Sequence, residues 1–290
     1  MSRKTYIAPF LKAARRGRPP KSEQRKAKIL ILDIETAPIL ARVWRLWKEN
    51  VGLNQIYGDW FILAFAAKWL GDNKVMYFDQ SKEKNVEDDH KLLAKLWELL
   101  DEADIVVAHN GKKFDVKKIN ARLVIAGYGP PSPYHIVDTL LIAKDKFAFT
   151  SNKLRYLTDT LNQVYKKQEH GAFPGFELWR AVLSGNTPEA RAAWKEMKTY
   201  NEYDVLSLEE LYLKLRPWSD KHPNVNQYDA KDTEMRCPIC GSTHIHKRGT
   251  YTTNAGMYQR YRCEECSAWS ATRYTENSKD KRKSLLKSTR

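Results

Sequence analysis

At 290 residues the chain can bury one sizeable core and still carry a second, smaller module. Its formal charge of +15 is uneven: residues 1 to 28 hold ten Lys/Arg against one Glu (+9), residues 237 to 290 hold eleven against four acids (+7), and residues 29 to 236 stand at −1. A near-neutral body between two basic ends fits a polyanion, nucleic acid, as partner. It leaves no place for a membrane span or export signal, "YIAPFL" being too short for either. All four cysteines fall within residues 237 to 266, which argues for a local metal site in a reducing compartment rather than a disulfide framework. The expected compartment is cytoplasmic, or another reducing one that contains nucleic acid, and the chain is not expected to be secreted.

Residues 1 to 28 form a basic arm. Within "RRGRPPK", Arg16, Gly17, Arg18 and Pro19 resemble an AT-hook core, in which an extended Arg-Gly-Arg lies in a narrow A·T minor groove. Generic phosphate binding is the other reading.

The body, residues 29 to 216, opens with "KAKILILDIETAPIL". Ile29 to Ile34 have the length and branching of a buried strand, in which Asp33 and Glu35 leave on the same face. Two adjacent carboxylates repel each other and resist desolvation unless a cation lies between them. "WFILAFAAKWL" and "KVMYFDQ", separated by the turn "GDN", predict two further strands and an antiparallel meander. "DDHKLLAKLWELLDEA" has helical spacing, "DIVVAHN" predicts a fourth strand, a helix follows over about 113 to 125, and "YHIVD" predicts a fifth strand. Asp138, ending that strand, reads as a helix cap. The remainder is helical and ends in a long helix that Thr187 caps and Pro188 begins. Meander, helix, strand, helix, strand, helices is the order of a ribonuclease H-like α/β fold, a mixed sheet flanked by helices. Trp60, Trp69, Trp97, Trp179 and Trp194 are expected in its core.

Two more candidates complete the pattern. Asp115 sits past the fourth strand at a helix start, where it can face the end of the first strand. Tyr200 and Asp204 share a face of the long helix with Val205, Leu208 and Leu211, so both should point inward. A metal would partner all four acids. In this order, Asp33 and Glu35 in "LDIET", Asp115 in "HNGKKFD" and Tyr200 with Asp204 in "YNEYD" resemble the three exonuclease motifs of the DnaQ-like DEDD superfamily. Tyrosine four residues before the last aspartate is similar to the DEDDy branch; the histidine branch would want His where Thr199 stands. The resemblance implies a 3′ to 5′ exonuclease with two Mg²⁺ or Mn²⁺ ions. Asp33 would bridge both, Glu35 and Asp204 would complete one site, Asp115 would support the other, and Tyr200 would orient the attacking water. His109 and Asn110 would contact the terminal nucleotide or hold their loop, and Lys112 and Lys113 are candidate phosphate contacts.

Residues 217 to 236 read as a linker. Residues 237 to 274 pair Cys237-x2-Cys240 with Cys263-x2-Cys266, which resembles a zinc ribbon whose four thiolates hold a structural Zn²⁺. Strands are predicted around "THIHKRG" and "YQRYRC". His244 and His246 are alternative ligands, and Lys247, Arg248, Arg260 and Arg262 are candidate nucleic-acid contacts. Residues 275 to 290 are a basic tail. The function expected is 3′ to 5′ hydrolysis of nucleic acid, with single-stranded or frayed DNA favoured over RNA. A structure-selective endonuclease on the same core and an inactive nucleic-acid-binding protein are the alternatives.

Overall fold

A computed structural model describes residues 26–168, 171–229 and 233–286. Arg16 and Arg18 lie outside the described residues. The chain divides into two compact units, one containing residues 28–212 and the other residues 213–290.

The first unit is built on a five-stranded mixed sheet. β1 (Ile29–Thr36) pairs antiparallel with β4 (Ile62–Trp69), which pairs antiparallel with β5 (Met76–Asp79); this is the expected meander. β6 (Ile105–Ala108) joins β1 in parallel and β7 (His135–Asp138) joins β6 in parallel, so the order across the sheet is β5-β4-β1-β6-β7. β1 has neighbours on both edges and helices over both faces, so it reads as an unbroken apolar run from Ile29 to Leu32. Between β1 and β4 the chain makes a small extra hairpin of β2 (Leu40–Ala41) and β3 (Ile56–Gly58), which the sequence did not signal.

One face of the sheet is covered by α1 (His90–Glu102) and α2 (Asp115–Ile125). Leu30, Leu32 and Ile34 of β1 and Phe65 of β4 pack against Leu92, Leu93, Leu96, Leu100, Ile119 and Leu123 there. Along a strand successive side chains alternate, so Asp33 and Glu35 must leave on the other face. Short helices α3 (Thr139–Lys146), α4 (Leu154–Leu161) and α5 (Glu177–Val182) follow, then the long helix α6 (Pro188–Leu215). Leu63 packs with Leu178 of α5 and Ala193, Trp194 and Met197 of α6. Two buried ion pairs pin helices to the sheet: Lys68 with Glu209 of α6 at 2.5 Å, and Arg122 with Asp89 at 2.7 Å, where Asp89 also accepts from the Ile62 amide at 2.9 Å. Of the five tryptophans expected in the core, Trp194 is buried and Trp69, Trp97 and Trp179 pack against it. Trp60 instead lies half-exposed beneath the Lys118 ammonium, 3.6 Å from its ring centre.

The second unit contains β8 (Ile245–Thr252), β9 (Met257–Cys263) and β10 (Trp269–Ala271), an antiparallel sheet with β9 in the middle, and a short helix α7 (Lys279–Ser284) capped by Ser278. Its buried apolar cluster is small: Ile239 and Ala268 beside Cys237 and Cys263. Within the expected linker, Val225 donates its amide to Pro238 O at 2.9 Å and Asn226 donates its side-chain amide to Arg236 O and Cys237 O. No helix among the described residues is long and apolar enough to cross a membrane.

Candidate functional site

The acids converge at one end of the sheet. Asp33 and Glu35 come from the last turn of pleat in β1, where the pairing with β4 slips: Glu35 lies opposite Ala64 and Thr36 opposite Ile62, which leaves Leu63 as a bulge. Asp204 comes from α6, 169 positions beyond Glu35 in the chain, and carboxylate oxygens of Asp33, Glu35 and Asp204 lie within 4.8 Å of one another. The apolar stripe of Val205, Leu208 and Leu211 is buried, which turns Asp204 toward the sheet as its helical spacing requires.

Asp115 is buried at the start of α2 and accepts from the Ile34 amide at 3.3 Å, so it lies beside the cluster. The loop that carries it is closely fitted. Asn110 takes a left-handed conformation (φ 68°), and a Cβ on Gly111 would fall 2.4 Å from the Ala108 Cβ, so only glycine fits there. Asp138 caps α3 through the Leu140 and Leu141 amides, as expected, and also accepts from the amides of Asn110 (2.9 Å) and Lys112 (3.1 Å). His109 has both ring nitrogens engaged, Nδ1 with Thr139 Oγ1 at 2.9 Å and Nε2 with Asn152 O at 3.0 Å; burial holds its pKa below the ordinary value. It ties three segments together.

Two residues at the centre were not anticipated. Asn201 is fully buried and donates to Asp33 Oδ2 at 2.6 Å. It stands three residues before Asp204 on the same helix face, a spacing that could have revealed it. Lys167 donates to Tyr200 Oη at 2.6 Å and to Asp204 Oδ2. Nothing in "YKKQEH" marks it, because a tertiary clamp puts it there. Glu210 of α6 accepts from the amides of Gln163 (2.6 Å) and Tyr165 (2.9 Å), and Asn162 donates to Ser207 O at 2.8 Å.

The electrostatics are those of a cation site. Burial raises Asp33 well above the carboxylate range, helped by the charges of Asp204, Glu35 and Asp115. Burial, then Asp204, raises Glu35 to about 8; burial raises Asp115 to about 7 against two backbone hydrogen bonds. Asp204 is raised by burial and held down by Lys167. Its second oxygen, Oδ1, is buried and has no hydrogen-bond partner among the described residues. One ammonium thus faces several crowded carboxylates, and an unsatisfied oxygen is available to a further positive charge.

In the second unit the four cysteines are free thiols gathered in one group, with Sγ separations of 3.5 Å (Cys237 to Cys266) and 3.6 Å (Cys240 to Cys263). Four bonds of about 2.3 Å to a tetrahedral Zn²⁺ would space the sulfurs about 3.8 Å apart, so the group has the right size. Hydrogen bonds from Cys240 and Cys266 press the Cys237 thiol down toward ionisation. His244 and His246 pair instead with Glu265 (3.1 Å) and Glu264 (2.7 Å). Arg260 and Arg262 alternate with buried Tyr261 and lie 4.5 and 5.5 Å from the centre of the half-exposed Trp269 ring, while Lys247 and Arg248 are exposed on β8.

The profile of the RNase H superfamily matches residues 49–216. It begins beyond β1, so the placement of Asp33 and Glu35 rests on the geometry above. A DNA polymerase III of PolC type from Ureaplasma parvum serovar 3 is 26% identical over 192 residues, which is 60% of this chain and 12% of that protein's length. A solved structure, the family B DNA polymerase from the hyperthermophilic archaeon Pyrobaculum calidifontis, is 15% identical with a TM-score of 0.45, covering 72% of this chain and 28% of that one.

Proposed function

The chain belongs to the RNase H superfamily, and on that premise we propose that it is a metal-dependent nuclease, specifically a 3′ to 5′ exonuclease acting on single-stranded or frayed DNA ends. The observation that carries this reading is the gathering of Asp33, Glu35 and Asp204 within 4.8 Å, with a buried oxygen of Asp204 left unpartnered. Carboxylate oxygens suit hard divalent cations, and the site fits Mg²⁺ or Mn²⁺ held by Asp33, Glu35 and Asp204, with Asp115 beside them. When bound, two such ions supply the positive charge that a phosphodiester needs at its attacking and leaving oxygens.

The chain's own residues do the positioning. Asn201 fixes the rotation of the Asp33 carboxylate by holding Oδ2. Lys167 holds Asp204 by Oδ2, which leaves Oδ1 as the oxygen that would hold an ion, and the same ammonium fixes the Tyr200 hydroxyl. Burial and the Asp204 charge push the Tyr200 phenol above its ordinary pKa, so at neutral pH it orients the attacking water and does not take its proton. A cleft of 330 Å³ is lined by Tyr200 with Gln168, Lys195 and Thr199 among others. The four thiols of the second unit fit a structural Zn²⁺, with Arg260 and Arg262 on its central strand β9 as contacts to the nucleic-acid backbone.

The test is product analysis of the purified protein with Mg²⁺ on matched 3′-labelled and 5′-labelled oligonucleotides, DNA and RNA. The expected products are mononucleotides released from 3′ ends, a shortening ladder on 5′-labelled DNA, and intact closed circles. Cut circles would replace this reading with the endonuclease. Tight binding with no cleavage in Mg²⁺ or Mn²⁺ would leave a nucleic-acid-binding protein.

A further inference from the structure

Residues 39–58, the segment of the β2–β3 hairpin, leave the sheet a few residues after Glu35 and rejoin it just before β4. The Ala37 amide donates to Phe61 O at 2.9 Å and closes the base of this arm. The arm therefore springs from the end of β1 that carries the acids.

Its large apolar side chains face outward. Trp44 is 93% exposed, Trp47 82% and Leu53 88%, in a unit whose other tryptophans pack against its core or beneath a lysine. Scattered surface leucines need no explanation, but two nearly bare indoles three residues apart do. They also alternate with cations: "RVWRLWK" places Arg42, Arg45 and Lys48 around Trp44 and Trp47. The Arg42 guanidinium lies 5.7 Å from the centre of the Tyr57 ring, and the exposed Arg45 side chain pairs with the half-buried Glu49 at 3.3 Å. The solvated guanidinium face of Arg45 remains open to a further anion. At the arm's root the same chemistry recurs beside the site: Lys118 lies 3.6 Å from the Trp60 ring centre and 5.6 Å from that of Phe114, the residue before Asp115.

An apolar protein partner would be met by rings without interleaved cations. A single strand of nucleic acid presents a π-face at every base and a charge at every phosphate, and it is held by aromatic rings set among Lys and Arg. Paired bases have no free face to offer. We propose that residues 39–58 form a stacking platform for the single-stranded stretch of substrate adjoining the acid site, with Trp44 and Trp47 stacking on bases and Arg42, Arg45 and Lys48 taking phosphates. This deepens the nuclease reading and rests on it: the platform selects unpaired ends.

The experiment measures affinity for a labelled oligo(dT) and for a duplex of equal length across a salt series. It uses the full-length protein carrying Asp33→Asn to prevent cleavage, with and without Trp44→Ala plus Trp47→Ala. Each stacked ring contributes about fivefold or more, so the double variant should bind oligo(dT) at least about 25-fold more weakly. Stacking releases no counterions, so the salt slope should not change, and duplex affinity should fall by less than about threefold. Trp44→Phe plus Trp47→Phe should restore most of the loss. Unchanged oligo(dT) affinity, an equal loss on duplex, or conversion of a dimer to a monomer in light scattering would overturn the proposal, the last by assigning the rings to a second copy of the chain. The two readings fail separately, since wild-type cleavage tests the acid site and the binding series tests the arm.

Discussion

Among the described residues two groups of side chains could hold a metal ion, and they depend on their surroundings in opposite ways. Asp33, Glu35 and Asp204 are brought together by a sheet and a helix that have an extensive apolar core of their own. That core holds the carboxylates in place against their mutual repulsion. The thiols of Cys237, Cys240, Cys263 and Cys266 sit in a unit whose buried apolar cluster contains little besides themselves, Ile239 and Ala268. On the proposed reading, an ion held there would supply much of the folding free energy. Cation chemistry would then serve reactivity in one place and architecture in the other.

The largest effect should come from breaking the thiol site. Structural zinc sites of this kind contribute on the order of 10 kcal/mol. Cys237→Ser with Cys240→Ser, or a strong chelator, should unfold residues 237–274, seen as loss of amide protection there, while residues 28–212 keep their melting transition. A joint collapse of both units would break the contrast. Asp33→Asn should do the reverse. Cleavage should fall at least about 1000-fold, since an ion ligand and its charge are lost, while the melting temperature of the metal-free protein stays level, because burial already favours the neutral form of Asp33 and the amide has the same shape. Substantial nuclease activity in this variant, free of contaminating enzymes, would remove Asp33 from the site.

Lys167→Met sharpens the comparison inside the acid cluster. Removing the ammonium makes the carboxylates a stronger attractor, so Mn²⁺ measured by calorimetry should bind roughly tenfold more tightly. Turnover should nonetheless drop by roughly thirtyfold, because Asp204 and the Tyr200 hydroxyl lose their fixed orientation. A lysine serving only to brace the fold would weaken both, and that result would refute the positioning role.

The smallest effect concerns pH. In the folded, metal-free protein Glu35 titrates near 8 and Asp115 near 7, while the unfolded chain releases both protons around pH 4 to 4.5. Between those limits the folded state holds more protons, so stability present in full at low pH is lost as pH rises toward 8. The melting temperature of the metal-free protein should decline from pH 5 to 8, less steeply in Glu35→Gln, and Mn²⁺ should offset the decline. A slope identical in wild type and Glu35→Gln would show that burial and the Asp204 charge do not hold Glu35 protonated.

Much of this was legible in one dimension because it follows from local periodicity. The alternation in "ILILDIET" puts two acids on one side of a strand, the four-residue step from Tyr200 to Asp204 puts both on one face of a helix, and paired C-x-x-C turns announce a tetrahedral thiolate site whatever lies between them. The meander, the fourth and fifth strands and the long helix after Pro188 were readable for the same reason, though not the parallel pairing of those two strands. The tertiary structure alone decided which neighbours those residues meet. Lys167 reaches Tyr200 and Asp204 only because Glu210 and Asn162 clamp its segment to α6, and no spacing in "YKKQEH" encodes that. The Asp138 cap doubles as the anchor of the Asn110 loop only because β6 and β7 lie side by side. Trp60 reads as core from its composition, yet lies under Lys118 because β4 begins after it. Periodicity sets which way a side chain points along its own element; what it touches depends on how distant elements pack, and that is settled by burial summed over the whole chain.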